Sequence, residues 1–144
     1  KTTPQGAPPP LNPLMLALAV DCGFVARGFT DDADHLKEII KAGIQHRGFS
    51  LIDILQPCVS FNHTNTHQWY RERVYKLEET GYKTDDKIAA LQKAQEWGEK
   101  IPTGVIYRHE RPVYEDTLPV LNPDEILESI VKSGKIDKLM NEFV

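Results

Sequence analysis

The side chains best suited to chemistry in this sequence fall mostly between residues 53 and 76. Cys58 follows Gln56-Pro57 directly. A thiol in a loop can ligate a metal or a cluster, or act as a nucleophile once ionised. Cysteine is also among the most buried residue types, so residue type alone favours a packing role. His63 and His67 lie four apart and with Cys58 give the spacing C-x4-H-x3-H. On a helix both imidazoles would face one ion, as in helical zinc pairs. That spacing is not a standard zinc pattern, and a helix is expected only from Thr66, so surface histidines are favoured. Asp53 interrupts an apolar run. It could be a base with a raised pKa, but nothing nearby suggests a partner base, and a salt-bridged or hydrogen-bonded structural role is favoured. Arg71, Arg73 and Lys76 flank Trp69 and Tyr70. They could hold a phosphate or an acidic subunit; a solvated face paired with Glu72, Glu78 and Glu79 is favoured. There is no Gly-rich phosphate loop, no G-x-S-x-G, no H-E-x-x-H and no C-x-x-C.

These residues need a scaffold, and the chain predicts one. Residues 1–11 are rich in Pro, Gly and Thr, and Pro8 to Pro10 favour an extended segment. Asn12 can cap a helix with Pro13 at its first position, running from Leu14 to Val20 and apolar nearly all round, so expected to be buried. Phe24 to Phe29 reads as a strand. Thr30 or Asp31 caps the next helix, whose first turn is acidic. Leu36, Ile39, Ile40 and Ile44 form its apolar stripe. Leu51 to Leu55 reads as a strand buried on both faces, as in a parallel sheet. Strand, helix, strand is a βαβ unit. Pro57 ends the second strand, which puts Cys58 to Asn65 in a loop at the sheet's carboxyl edge, where open α/β sheets bind ligands.

Downstream, Thr66 to Leu77 predicts a helix with Trp69, Tyr70, Val74 and Leu77 inward. Another, capped by Thr84 or Asp85, runs to about Gly98 with Ile88, Leu91, Ala94, Gln95 and Gly98 on one face. Val105 to Tyr107 reads as a short strand, and 110–121 as an extended tail. Asn122-Pro123 opens a last helix, followed by a turn in which Met140 and Phe143 pack. Composition shifts near residue 57, dividing a βαβ piece, 1–57, from an extension, 58–144.

The chain has 144 residues with a net charge of -4. That is enough for a core without disulfides and gives no reason to expect nucleic acid or a membrane as partner. No apolar run is long enough to cross a bilayer. Two cysteines make no disulfide framework, which suits a reducing, cytoplasmic setting. The chain opens on Lys1 without an initiator Met, so its start is expected to be a fragment boundary.

Several strings resemble the β subunits of 2-oxoacid:ferredoxin oxidoreductases. They are Phe24-Val-Ala-Arg-Gly-Phe29, Leu51-Ile-Asp-Ile-Leu-Gln-Pro-Cys-Val-Ser-Phe61, Asn65-Thr-His-Gln-Trp-Tyr-Arg-Glu-Arg-Val-Tyr75 and Ile101-Pro-Thr-Gly-Val-Ile-Tyr107, with the opening Lys1-Thr-Thr-Pro and Asn12-Pro-Leu. They run in family order, and the segment 108–144 is less distinctive. The resemblance implies a partial thiamine-diphosphate-binding fold: Rossmann-like, α/β, with a parallel sheet and a C-terminal helical extension. It implies oxidative decarboxylation of a 2-oxoacid onto coenzyme A, with an α subunit and ferredoxin as partners. Thiamine diphosphate with Mg²⁺ and a [4Fe–4S] cluster serve that chemistry.

In the family the cysteine of the Gln-Pro-Cys loop is one of four cluster ligands, and that role transfers to Cys58 alone. It reverses the preference for packing at Cys58. Cys22 stands where the family has a small residue and is expected to pack. The other three cluster cysteines and the Gly-Asp-Gly…Asn motif for Mg²⁺ and diphosphate are absent from this sequence. The expectation is therefore the C-terminal half of such a subunit, inactive and without cofactors by itself. The alternative is a free-standing α/β binding or assembly module. A small zinc protein built on Cys58, His63 and His67 is a third, weaker idea.

Overall fold

The computed structural model describes residues 11–118. The expected Pro8–Pro10 segment, the last helix from Asn122 and the turn with Met140 and Phe143 lie outside them. Helix α1 spans Pro13–Ala19; Asn12 caps it by accepting from the Met15 N–H, and Pro13 sits in its first turn as anticipated. Only one side of α1 is buried. Leu14, Ala17 and Leu18 pack inward, while Leu16 and Val20 face out at 51% and 68% exposure. An all-round apolar pattern thus overstated the burial of this helix.

Strand β1 is Phe24–Phe29 and every residue of it is buried. Helix α2, Ala33–Gln45, is capped by Asp32, one residue beyond the expected cap; the Asp32 carboxylate accepts from the His35 N–H. Its inward stripe also differs. Leu36, Ile39, Ala42 and Gly43 meet the sheet, and Ile40 and Ile44 point outward. The cause is close approach of helix to strand. A Cβ on Gly28 would lie 2.4 Å from Leu36 Cδ1, and one on Gly43 would lie 2.9 Å from Ile52 Cδ1, so the helix turns its small side to β2 (Ser50–Leu55).

The region read as one helix from Thr66 to Leu77 divides into three. Helix α3 is His67–Arg71, strand β3 is Val74–Lys76, and a 3-10 turn covers Leu77–Thr80. Val74 and Tyr75 are strong strand formers, and the Arg73 carbonyl takes the Ile101 N–H at 2.9 Å. Tertiary pairing therefore overrides the helical period. The expected inward residues still hold: Trp69, Tyr70 and Val74 pack around Phe29, Leu55 and Ile101, and Leu77 is buried. Helix α4 spans Lys87–Gln95 and is capped by Asp86; Ala90 and Ala94 face inward with Leu91 packed beside them, and Ile88 is 65% exposed. Strand β4 is Ile101–Arg108, longer than anticipated. One helical turn, α5 at Tyr114–Thr117, lies in the stretch expected to be extended.

Among the described residues four strands form one sheet in the order β2-β1-β4-β3. β1 pairs with β2 in parallel, as the βαβ pattern required, and β3 with β4 in parallel. The β1–β4 pairing is antiparallel, with a bulge between Val25 and Ala26. The expected α/β class is borne out, with a mixed rather than purely parallel sheet. Alternation along β1 separates two cores: Phe24 and Ala26 meet Ile39 on one face, while Val25 joins Leu14, Leu18, Leu77 and Ile106 on the other. Chain contacts divide the protein into units 1–111 and 112–144. Among the described residues no helix is long and apolar enough to cross a membrane.

His46 closes α2 and is buried, its ring 5.7 Å from that of Phe24. Burial, assisted by the Arg108 charge, pushes its imidazole below the ordinary histidine range. A depressed folded pKa makes protonation favour the unfolded chain. The contribution of His46 is therefore complete above about pH 6.5 and is lost as pH falls through the folded value. Urea midpoints measured at pH 7.5 and 5.5 should show a decline in the parent that His46→Gln reduces; an equal decline in both would refute this.

Candidate functional site

β2 ends at Leu55, whose carbonyl receives both the N–H and the hydroxyl of Thr30, at 3.1 and 3.3 Å. The chain then leaves the sheet through Gln56 and Pro57, and Cys58 stands exposed just beyond the carboxyl end of β2. A local turn follows, in which the Cys58 carbonyl accepts from the N–H groups of Phe61 and Asn62 at 3.2 and 2.8 Å. The Asn62 carboxamide oxygen then accepts from Thr64 and Asn65, each at 3.0 Å. Thr66 caps α3 by accepting from the Trp69 N–H.

The other residues singled out from sequence are dispersed. His63 is exposed within the loop. His67 is held elsewhere: its Nδ1 lies 2.6 Å from Asp31 Oδ1, and Arg71 reaches the other oxygen of that carboxylate at 2.8 Å. Cys58, His63 and His67 therefore do not form the zinc constellation. Among the described residues no three His, Cys, Asp or Glu side chains gather to hold a metal ion. One exposed thiol suits a single ligand position of a shared centre, not a complete site. Cys22 is buried, its thiol donating to the carbonyls of Phe24 and Phe49 at 3.1 and 3.3 Å, in keeping with a packing role.

Asp53 proves structural, and its partner was missed. Arg27 Nε donates to Asp53 Oδ2 at 3.0 Å, with the Arg27 side chain only 3% exposed. The guanidinium lies 5.4 Å from the centre of the Trp97 ring, and Nη1 has no hydrogen-bond partner among the described residues. Arg27 and Asp53 are each the lone charge in an otherwise apolar string, and that much of the signal lay in the sequence; the register that pairs them did not. Each is the fourth residue of a six-residue strand, and the parallel register sets them opposite each other.

The basic residues are paired, but less locally than expected. Arg73 meets Glu72 and stacks 4.5 Å over Trp69. Arg71 and Lys76 reach across to Asp31 and Asp32 in the turn that opens α2, with Lys76 Nζ 2.7 Å from Asp32. Lys76 above all holds the Asp32 carboxyl below its ordinary range. Beyond β3 a groove of about 900 Å³ is lined by Arg73, Tyr75, Lys93, Glu96, Trp97 and Lys100 among others. Within it Lys93 donates to the Tyr75 hydroxyl at 3.0 Å and to Glu96 at 2.6 Å, and Tyr75 donates to Glu96. Burial, then the Glu96 bond, raises the Tyr75 pKa; Lys93 and Tyr75 hold Glu96 low against the opposing push of burial. The three groups satisfy one another and fasten α4 to β3. Tyr75 lies 18 residues from Lys93, so no short motif announced them.

Residues 58–123 match the C-terminal domain of the pyruvate ferredoxin oxidoreductase β subunit. The 2-oxoacid:ferredoxin oxidoreductase β subunit of a Sulfolobus species is 38% identical over 150 residues, covering 93% of this chain and 49% of that subunit. Subunit β of 2-oxoacid:ferredoxin oxidoreductase 1 from Aeropyrum pernix is 41% identical over 130 residues, covering 83% of this chain and 41% of its own length. Among solved structures, the 2-oxoglutarate:ferredoxin oxidoreductase of Magnetococcus marinus, determined with 2-oxoglutarate, coenzyme A and succinyl-CoA bound, superposes with a TM-score of 0.70 at 30% identity. That match covers 96% of this chain and 47% of the other. Sequence and fold together thus liken the chain to oxidoreductase subunits. It is a relative of the β subunits of 2-oxoacid:ferredoxin oxidoreductases, and the resemblance carried by its strings is borne out. It spans about half the length, or less, of the curated relatives it matches.

Proposed function

We propose that this chain supplies the C-terminal part of the β subunit of a 2-oxoacid:ferredoxin oxidoreductase, and that Cys58 gives one thiolate to a [4Fe–4S] cluster. The observation that carries the assignment is the position of that thiol: exposed, beyond the carboxyl end of β2, at the first residue of the matched family domain. Three further cysteines and the motif for Mg²⁺ and thiamine diphosphate belong to the other half of the subunit in this reading. Thiamine diphosphate would supply the electron sink for decarboxylating a 2-oxoacid, and the cluster would pass electrons to ferredoxin. An α subunit and coenzyme A complete the complex, in a cytoplasmic setting. A division at residues 57 and 58 belongs to the same proposal, supported by the start of the family match at residue 58. Cys58→Ser in the full-length subunit is the test.

The open side of β2 is where we place the remainder of the subunit. Among the described residues nothing pairs with that edge. Exposed edges are usually blunted by Lys, Pro or outward charge. The strand Ser-Leu-Ile-Asp-Ile-Leu has no Lys or Pro, and its one charge, Asp53, is taken by Arg27. Ile54 is 42% exposed there, and Ile44 on α2 is 79% exposed. The isolated chain should therefore self-associate at high concentration, and Ile54→Lys should shift it toward monomer in sedimentation. Equal association of parent and variant would remove β2 as the docking edge.

A further inference from the structure

The loop that carries Cys58 is tied at both ends to two adjacent residues. It comprises residues 56–66, between Leu55 of β2 and His67 of α3. At its start the Leu55 carbonyl is held by the N–H and hydroxyl of Thr30. Its far end is held by Asp31, whose carboxylate takes His67 on one oxygen and Arg71 on the other. The Asp31 carboxylate is 12% exposed, against 39% for His67 and 58% for Arg71. It is the fixed point, and the two side chains that reach it come from outside.

Resting on the function proposed above, we infer that Asp31 is a positioning residue for the cluster ligand Cys58, acting through the far end of the loop. Three peptide units separate Leu55 from Cys58, so the Cys58 Cα stays within about 11 Å of the Cα of Leu55, whose carbonyl Thr30 holds. From Cys58 to His67 the chain is nine residues long, enough slack to let the sulfur swing. That slack is taken up by consecutive hydrogen-bonded turns: Phe61 and Asn62 on the Cys58 carbonyl, then Thr64 and Asn65 on Asn62. A chain folded in this way transmits the position of His67 back to Cys58. Groups hydrogen-bonded to a metal ligand fix its orientation, and losing one typically costs 10- to 100-fold in metal affinity or activity; Asp31 acts at one remove, so the lower end of that range applies.

Neighbouring Asp32 provides the control. It lies at the same helix end, carries the same charge and bridges to Lys76 of β3 instead of to the loop. Its removal takes away the α2 cap without releasing residues 56–66.

The experiment uses the full-length subunit loaded with its cluster, and follows loss of visible absorption in an iron chelator. Amide hydrogen exchange is read over residues 58–65 in the same samples. Asp31→Ala should speed cluster loss by roughly 10-fold and accelerate exchange in that segment. His67→Ala, at a more exposed position, should do the same in lesser degree and guards against a misfolded Asp31 variant. Asp32→Ala should lower thermal stability and leave cluster loss at the parental rate. Parental retention in both the Asp31 and His67 variants would overturn the inference. So would equally rapid loss in Asp32→Ala, which would reveal general destabilisation. Cys58→Ser separates the two levels: if it alone loses the cluster, the ligand assignment survives and the clamp falls; if it keeps the cluster, both fall.

Discussion

Cys58→Ser in the full-length β subunit should abolish the visible absorption of the proposed iron–sulfur cluster and leave the fold unchanged. The first half of that expectation follows from ligand chemistry. A cubane cluster needs a thiolate at each iron, and a serine hydroxyl is far less acidic and a much harder donor. The second half follows from position. Cys58 is exposed, and among the described residues its thiol has no hydrogen-bond partner. A surface substitution of this kind stays within about 0.5 kcal/mol of the parent. Unfolding midpoints and absorption should therefore separate: identical melting, absent cluster. Cys22→Ser should behave the opposite way, since the shorter, more polar side chain gives up apolar packing in the buried cluster. Full absorption and full electron transfer in Cys58→Ser would remove the ligand assignment and leave the chain as an α/β relative of the β subunits.

The largest effect on stability is expected at Asp53. Replacing it with Ala leaves the Arg27 guanidinium inside the protein with Nε newly unpartnered and Nη1 already so. Losing one member of a buried ion pair commonly costs 3–5 kcal/mol. Asp53 retains 25% exposure, so solvent screens part of that charge and about 3 kcal/mol is expected. The double variant Arg27→Met, Asp53→Leu should recover most of the loss, because it removes both charges and fills the space. The stack of Arg27 under Trp97 is lost as well, a cost of about 1 kcal/mol that the double variant retains. Urea denaturation of the four proteins gives the cycle. If Asp53→Ala unfolds at the parental midpoint, the pair is not what holds β1 to β2 on that face.

Local signals in the sequence read well where packing agreed with them. Asn12-Pro13, the acidic turn before α2 and the apolar strings of β1 and β2 each specify an element by backbone chemistry and periodicity alone. The failures share one cause. Val74 to Lys76 leaves the helical pattern because Arg73 and Ile101 bond across 28 residues. Ile40 and Ile44 match a helical stripe, but which side of α2 meets the sheet is decided by Gly43 and Ile52 packing together. The direction of β4 cannot be read from its residues, since strand propensity is the same either way. At the candidate site, the Gln-Pro-Cys string marked the loop and Pro57 its edge position. The grip of Asp31 on His67, 36 residues away, left no trace in spacing.

The antiparallel neighbour of β1 bears on how the protein is made. Phe24 pairs with Arg108 and Val25 with Tyr107, so the central strand, completed early on the ribosome, keeps one side open until residue 108 has emerged. Such distant pairings delay folding, and a nascent chain halted before Ile101 would display an unmatched strand on either flank of the βαβ piece. Folding of this segment therefore waits on translation past β4, the event that gives β1 its second neighbour.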